Sequence, residues 1–318
     1  MESIPDVPLA DPGHAAAPPR SSPAGGERLV RVGGLEICCE ELGDPRGEPM
    51  LLVMGLGAQM IYWDDGFCEL LVERGYRVIR FDNRDVGCST HLRAPVPGRA
   101  AMLLGTGRPA YRLEDLADDA VGVLDAFGID RAHVVGASMG GMIAQVIGYR
   151  HPNRVASLGL IMTHSGRRTV SMPTRRALTA LLSRPARTRD ELVETMVRAF
   201  RVIGSPGYPF DEGRFRETAA RSYDRGYNPA GSARQLHAIT ASGDRTRRLR
   251  EITAPTVVVH GDRDPLVRPA GGRLIARTIP GAQLVSIPGM GHDLPEPAWP
   301  RIVGAIDRNA ARARVHSH

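Results

Sequence analysis

Three side chains of this sequence, Ser138, Asp264 and His292, have the types that nucleophilic acyl chemistry requires. A serine hydroxyl is a poor nucleophile at neutral pH, so it needs a base within hydrogen-bond reach and an acid that orients the base. Ser138 sits in Gly136-Ala137-Ser138-Met139-Gly140, after an apolar run and before the helical run Met142 to Tyr149. That setting predicts a strand, a sharp turn and a helix, with the hydroxyl standing clear of the backbone at the turn. Gly136 and Gly140 flank the serine because strand and helix approach too closely there to leave room for a Cβ. The helix N-terminus brings free N–H groups and partial positive charge to the place where an oxyanion develops.

The base must be chosen from ten histidines. His292 follows an apolar strand ending at Ile287 and lies in Pro288-Gly289-Met290-Gly291-His292-Asp293, a glycine-rich loop able to aim a side chain over a sheet edge. His260, His151, His133, His91, His164 and His237 read as structural, and His14, His316 and His318 belong to the tails. The acid should follow a strand between serine and histidine. Val257 to Pro265 offers Asp262 and Asp264 in one turn; Asp264 is preferred because it is later on the turn and Pro265 fixes the loop after it. Asp262 is then a turn former bonded to local backbone N–H groups. The other place for an acid, Thr163-His164-Ser165, carries no carboxylate. An oxyanion hole takes one donor from Met139 and a second from the loop Met54 to Gln59, where Leu56 is best placed and Gly57 remains open as the alternative.

The elements that must hold these residues form an α/β pattern. Arg28 to Val32 and Leu35 to Leu42 alternate around Gly33-Gly34 as an antiparallel hairpin, and Pro49 to Met54 is a continuous apolar strand. Helices and strands then alternate as far as Val155 to Met162, which implies a mostly parallel sheet of about eight strands with helices on both faces. Strand signals stop from Thr163 to about Arg250, where Arg175 to Leu182, Arg189 to Arg201 and Asp211 to Arg221 are helical and charged. They resume at Thr256 to His260 and Gln283 to Ile287, before a last helix from Trp299 to about Ala311. The expected organisation is a disordered tail over 1–26, a core over 27–162 and 251–311, a helical cap over 163–250 and a short tail over 312–318.

With 318 residues and 42% hydrophobic composition, the chain can bury a large core. Its formal charge is +6, but the basic residues are all arginine, scattered and often beside Asp or Glu, which fits a solvated face better than a nucleic-acid groove. Four cysteines, Cys38, Cys39, Cys68 and Cys88, form no C-x-x-C pair; Cys38 and Cys39 should face opposite sides of a strand. No apolar stretch approaches the ~18 residues of a membrane span, and the acidic first residues do not resemble an export signal. A cytoplasmic protein acting on a small molecule, without metal or cofactor, is the expectation, and the oligomeric state is open.

These motifs, in this order, resemble the α/β-hydrolase superfamily over about Glu27 to Ala311. Asp82-Asn83-Arg84-Asp85-Val86-Gly87-Cys88-Ser89-Thr90 resembles the Asp-x-Arg-x-x-Gly-x-Ser segment that braces the nucleophile's surroundings in relatives. Met54-Gly55, that loop and the Ile287 to His292 stretch are similar to the branch of aclacinomycin-type methylesterases and related carboxylesterases. The resemblance implies a helical cap and cofactor-independent hydrolysis of an ester, with the methyl ester not specified. Tyr62, Trp63, Phe200 and Tyr208 are candidates for an apolar substrate pocket or for ordinary core packing. The same three residues also support C–C, thioester, lactone or amide cleavage or perhydrolysis, and a non-catalytic ligand-binding protein on this fold is the rival from another class.

Overall fold

The chain is described here from a computed structural model over residues 26–315. The tail expected over 1–26 lies outside the described residues except for Gly26, as do residues 316–318. In order, the strands are β1 (Glu27–Val32), β2 (Leu35–Leu42), β3 (Glu48–Val53), β4 (Tyr76–Phe81), β5 (Ala132–Ala137), β6 (Val155–Ile161), β7 (Thr256–Gly261) and β8 (Gln283–Ile287). The helices are α1 (Asp65–Val72), α2 (Arg99–Leu104), α3 (Leu113–Ala126), α4 (Met139–Arg150), α5 (Arg168–Ser171), α6 (Arg175–Leu181), α7 (Arg189–Ile203), α8 (Glu212–Gly226), α9 (Pro229–Ala241), α10 (Pro269–Thr278) and α11 (Trp299–Val315).

One sheet takes the eight strands in the order β1-β2-β4-β3-β5-β6-β7-β8. β1 and β2 form the expected hairpin, with Gly33 at φ 57° in the turn, and β2 pairs antiparallel with β4. Every other pairing is parallel. The central strands are apolar along their length because helices cover both their faces. In β3 the alternation is direct: Leu51 and Val53 join the core under α3 and α4, while Met50 and Leu52 join the core under α1 and α11. Cys39 and Cys38 divide in the same way between two clusters.

Residues 163–250 contain α5 to α9 and no strand. Sequence patterning anticipated α6, α7 and α8 but not α9, whose Pro229 start and small residues give a weak apolar period. The last helix runs four residues beyond its expected end. Ala313 is buried there, and the Arg312 guanidinium donates to the Gly281 carbonyl at 2.8 Å, so the final turn is packed rather than frayed.

Candidate active site

The turn between β5 and α4 is built by exclusion. A Cβ on Gly136 would overlap the Gly140 carbonyl, and one on Gly140 would overlap the Val53 carbonyl, so strand, helix and the neighbouring β3 meet only through glycine. Between them Ser138 adopts φ 55° and ψ −117°, a region a non-glycine residue enters only under constraint. Its N–H donates to the Ile161 carbonyl at 3.0 Å, and its carbonyl accepts the Thr163 hydroxyl at 2.7 Å. The side chain is left half-buried and free to point outward.

His292 meets it. The Ser138 Oγ lies 3.0 Å from His292 Nε2, and His292 Nδ1 lies 2.7 Å from Asp264 Oδ2. With Nδ1–H donated to the carboxylate, Nε2 is the acceptor that faces the serine hydroxyl. The other Asp264 oxygen accepts the N–H groups of Leu266 at 2.9 Å and Val267 at 2.8 Å, which fixes the carboxylate from behind. His260 stands beside the same carboxylate, its Nε2 3.6 Å from Asp264 Oδ2, but that nitrogen donates to the Val267 carbonyl at 2.8 Å. His151 meets Asp118, His237 the Thr106 carbonyl and His91 the Gly87 carbonyl, so these rings serve local structure.

The loop after β3 passes directly over the serine, since a Cβ on Gly55 would stand 3.2 Å from Ser138 Cβ. Gly57 is engaged elsewhere: its N–H donates to Gln235 Oε1 of α9 at 2.8 Å. The Leu56 N–H has no protein acceptor among the described residues, and Met139, first residue of α4, leaves its N–H unused by the helix. Of these two candidate donors the Gly57 N–H is thus taken up by a residue 178 positions away.

Several site residues were not legible in the sequence. Asp262 does not bond local N–H groups as expected; its Oδ1 accepts the Gly289 N–H of the histidine loop at 2.7 Å. The segment after α7 clamps the same loop. His292 N–H donates to the Ile203 carbonyl at 2.7 Å, Gly207 N–H to the Gly289 carbonyl at 2.9 Å and Gly291 N–H to Ser205 Oγ at 2.8 Å, while the Ser205 hydroxyl donates to Asp293. Burial raises the Asp293 carboxyl above the ordinary range, with Ser205 opposing. The insert also grips the bracing loop after β4: Arg225 of α8 pairs with buried Asp82 at 2.9 Å, and Arg234 of α9 with buried Asp85 at 2.7 Å.

Of the four aromatic candidates, Trp63 is a core residue, fully buried against Phe67 and Trp299 under the sheet, and faces no cleft. Tyr62 and Phe200 stack at 6.4 Å across the boundary between core and insert, and Phe200 stacks on Phe215 at 4.4 Å. Tyr208 packs half-buried against the cluster that contains Met290. A groove of about 990 Å³ lies between α6 and α7, with Arg176, Ala180, Glu191, Arg198 and Val202 in its walls; it is lined by the insert alone.

Comparison with known proteins identifies the family. Residues 48–297 match the alpha/beta hydrolase fold family. The chain is 31% identical over 309 residues to rhodomycin D methylesterase DauP of Streptomyces sp. (strain C5), covering 91% of this chain and 99% of that one. It is equally similar, at 31% over 309 residues, to the rhodomycin D methylesterase DnrP of Streptomyces peucetius. Among solved structures, a thermophilic esterase from Thermogutta terrifontis superposes with a TM-score of 0.65 at 24% identity, covering 91% of this chain and 99% of that chain. The chain belongs to the α/β-hydrolase fold family and is a hydrolase. It resembles the methylesterase branch. No helix among the described residues is long and apolar enough to cross a membrane.

Proposed function

We propose that this hydrolase cleaves a carboxylic ester of a small molecule, with methyl esters the first class to test, through an acyl-enzyme on Ser138. The observation that carries the reading is the unbroken hydrogen-bonded chain from Asp264 through His292 to Ser138 Oγ. In this mechanism His292 Nε2 takes the hydroxyl proton as Oγ attacks the carbonyl, and Asp264 holds the ring and balances the imidazolium. The N–H groups of Leu56 and Met139 bind the oxyanion, and His292 returns the proton to the leaving alkoxide. Water then attacks the acyl-enzyme with the same histidine as base. No metal or cofactor takes part.

Residues 163–250 act as a cap over a core of 27–162 and 251–311, with Tyr62, Phe200 and Tyr208 on its apolar boundary. An ester is preferred to the lactone, thioester, amide and C–C bonds open to such a triad because the likeness to a methylesterase extends over 91% of the chain. The four cysteines are buried and form no disulfide among the described residues, which supports a reducing, cytoplasmic setting. Ser138→Ala is expected to lower kcat on methyl and p-nitrophenyl esters by a factor of about 10³ to 10⁶ with the melting temperature preserved. Turnover equal to the parent protein sinks the reading, and so does ligand binding by a folded parent that turns over no acyl substrate.

A further inference from the structure

His164 lies in the loop after β6, beside Thr163, whose hydroxyl bonds the Ser138 carbonyl. Its ring is fixed in one tautomer. Nδ1 accepts the Gly166 N–H at 2.8 Å, so the proton of the neutral imidazole is on Nε2. Gly166 reaches that position at φ 91°, pressed so closely on the Gly243 carbonyl that a Cβ would overlap it. The His164 carbonyl is held too, by the Arg245 guanidinium at 3.0 Å and Gln145 Nε2 at 3.3 Å. Backbone and ring are therefore both anchored. The ring remains half-buried, and among the described residues Nε2–H has no acceptor.

The charged surroundings keep this donor uncharged. Burial, then the enclosed Arg245 cation, then His292 and His260 push the imidazole down to about 3, with Asp264 opposing. The Thr163 bond to the Ser138 carbonyl at 2.7 Å ties this loop to the nucleophile turn. A neutral, single-tautomer histidine whose only N–H is unspent, on a loop tied to the nucleophile turn, is a poor base and a good directional donor.

We infer that His164 Nε2–H is a substrate-contacting donor that selects esters carrying a second, uncharged oxygen acceptor away from the scissile carbonyl. This rests on the esterase reading above and names the substrate feature that such a site recognises. A keto, ether or hydroxyl oxygen fits the donor. A substrate that presents only a cationic or N–H group there leaves two donors facing each other and is rejected.

The test compares kcat/KM for methyl hexanoate and its 3-, 4- and 5-oxo analogues in the parent protein, His164→Phe and His164→Gln. At least one oxo ester is expected to exceed methyl hexanoate by about tenfold in the parent, the size of one well-made hydrogen bond. His164→Phe should abolish that preference while leaving methyl hexanoate turnover within about threefold. His164→Gln, which restores an N–H at similar reach, should recover part of it and guards against a folding defect in the phenylalanine variant. The preference should be constant from about pH 5 to 8, because a charged donor would instead lose it above the ordinary histidine value of about 6.5. Turnover of all four esters without an oxo preference overturns this inference alone, as does an equal loss on all four in both variants. Absence of turnover of any ester by the parent overturns the esterase reading and this inference with it.

Discussion

The sheet-borne half of the site and the helical insert packed against it are held by different mixtures of backbone and side-chain contact. Around Ser138 the chain is constrained by backbone against backbone: Gly136 on Gly140, Gly140 on β3, Gly55 on the serine itself. The insert adds to its backbone bonds from Ile203 and Gly207 a set of side chains reaching long distances, with Arg225 on Asp82, Arg234 on Asp85, Gln235 on Gly57 and Ser205 on the histidine loop. Backbone constraint leaves a signature in residue type, since only glycine fits. Side-chain attachment leaves none, because an arginine that braces a buried aspartate has the same letter as one in solvent. The difference teaches why a motif locates the chemistry while the surface that chooses a substrate has to be seen in three dimensions.

The two halves should therefore fail differently. Asp264→Asn keeps the backbone and removes the charge behind His292; kcat should fall by about 10² to 10⁴ with little change in thermal stability, measured by ester turnover and calorimetry on the same sample. Loss of stability without loss of kcat would erase the proposed distinction. Arg225→Met is expected to do the reverse, destabilising the fold by about 3 to 5 kcal/mol because Asp82 is left buried without its cation. A denaturant titration measures this, and the double variant Asp82→Asn, Arg225→Met should recover much of the loss. If Arg225→Met is neutral, the insert is not anchored there.

Acid should weaken the sheet and the insert alike, since His164 in the insert is held down by burial as two sheet histidines are. His133 on β5 and His260 on β7 are held below the ordinary histidine range, chiefly by burial. The unfolded chain takes up protons near pH 6.5 while the fold does not, so the unfolded state binds more protons below that value and stability falls as pH falls. From about pH 6.5 down to the lowered native values each ring contributes a slope of at most about 1.4 kcal/mol per pH unit, and above pH 7 the contribution is flat. A melting temperature that rises between pH 7 and 5 contradicts this. The mildest change should come from Ser205→Ala, which removes the side-chain part of the clamp on the histidine loop and leaves its backbone bonds in place. We expect kcat to drop by about tenfold with KM nearly constant, since His292 loses orientation and not its chemistry. An effect on KM alone would place Ser205 with substrate binding.

The sequence carried the sheet, its hairpin and the order of the three site residues because each leaves a periodic or stereochemical trace. Asp264 was separable from Asp262 by position on the turn, yet the actual work of Asp262, holding Gly289 in the histidine loop, depends on a neighbour that is distant in sequence. Leu56 was the better placed candidate with Gly57 open beside it, and only the fold shows that Gln235 of α9 takes the Gly57 N–H. Trp63 was ambiguous because an aromatic beside a short helical turn packs equally well into a core or a cleft, and here the core claimed it. The segment α9 escaped notice because glycine, serine and proline dilute its apolar face, although it carries two of the contacts that shape the site.

The most direct measurement is covalent labelling with a fluorophosphonate, followed by intact-mass and peptide analysis. The expected result is one adduct on Ser138, absent from Ser138→Ala and slowed in His292→Ala. A folded protein that takes no label, or that takes it on another residue, contradicts the assignment of Ser138 as the nucleophile.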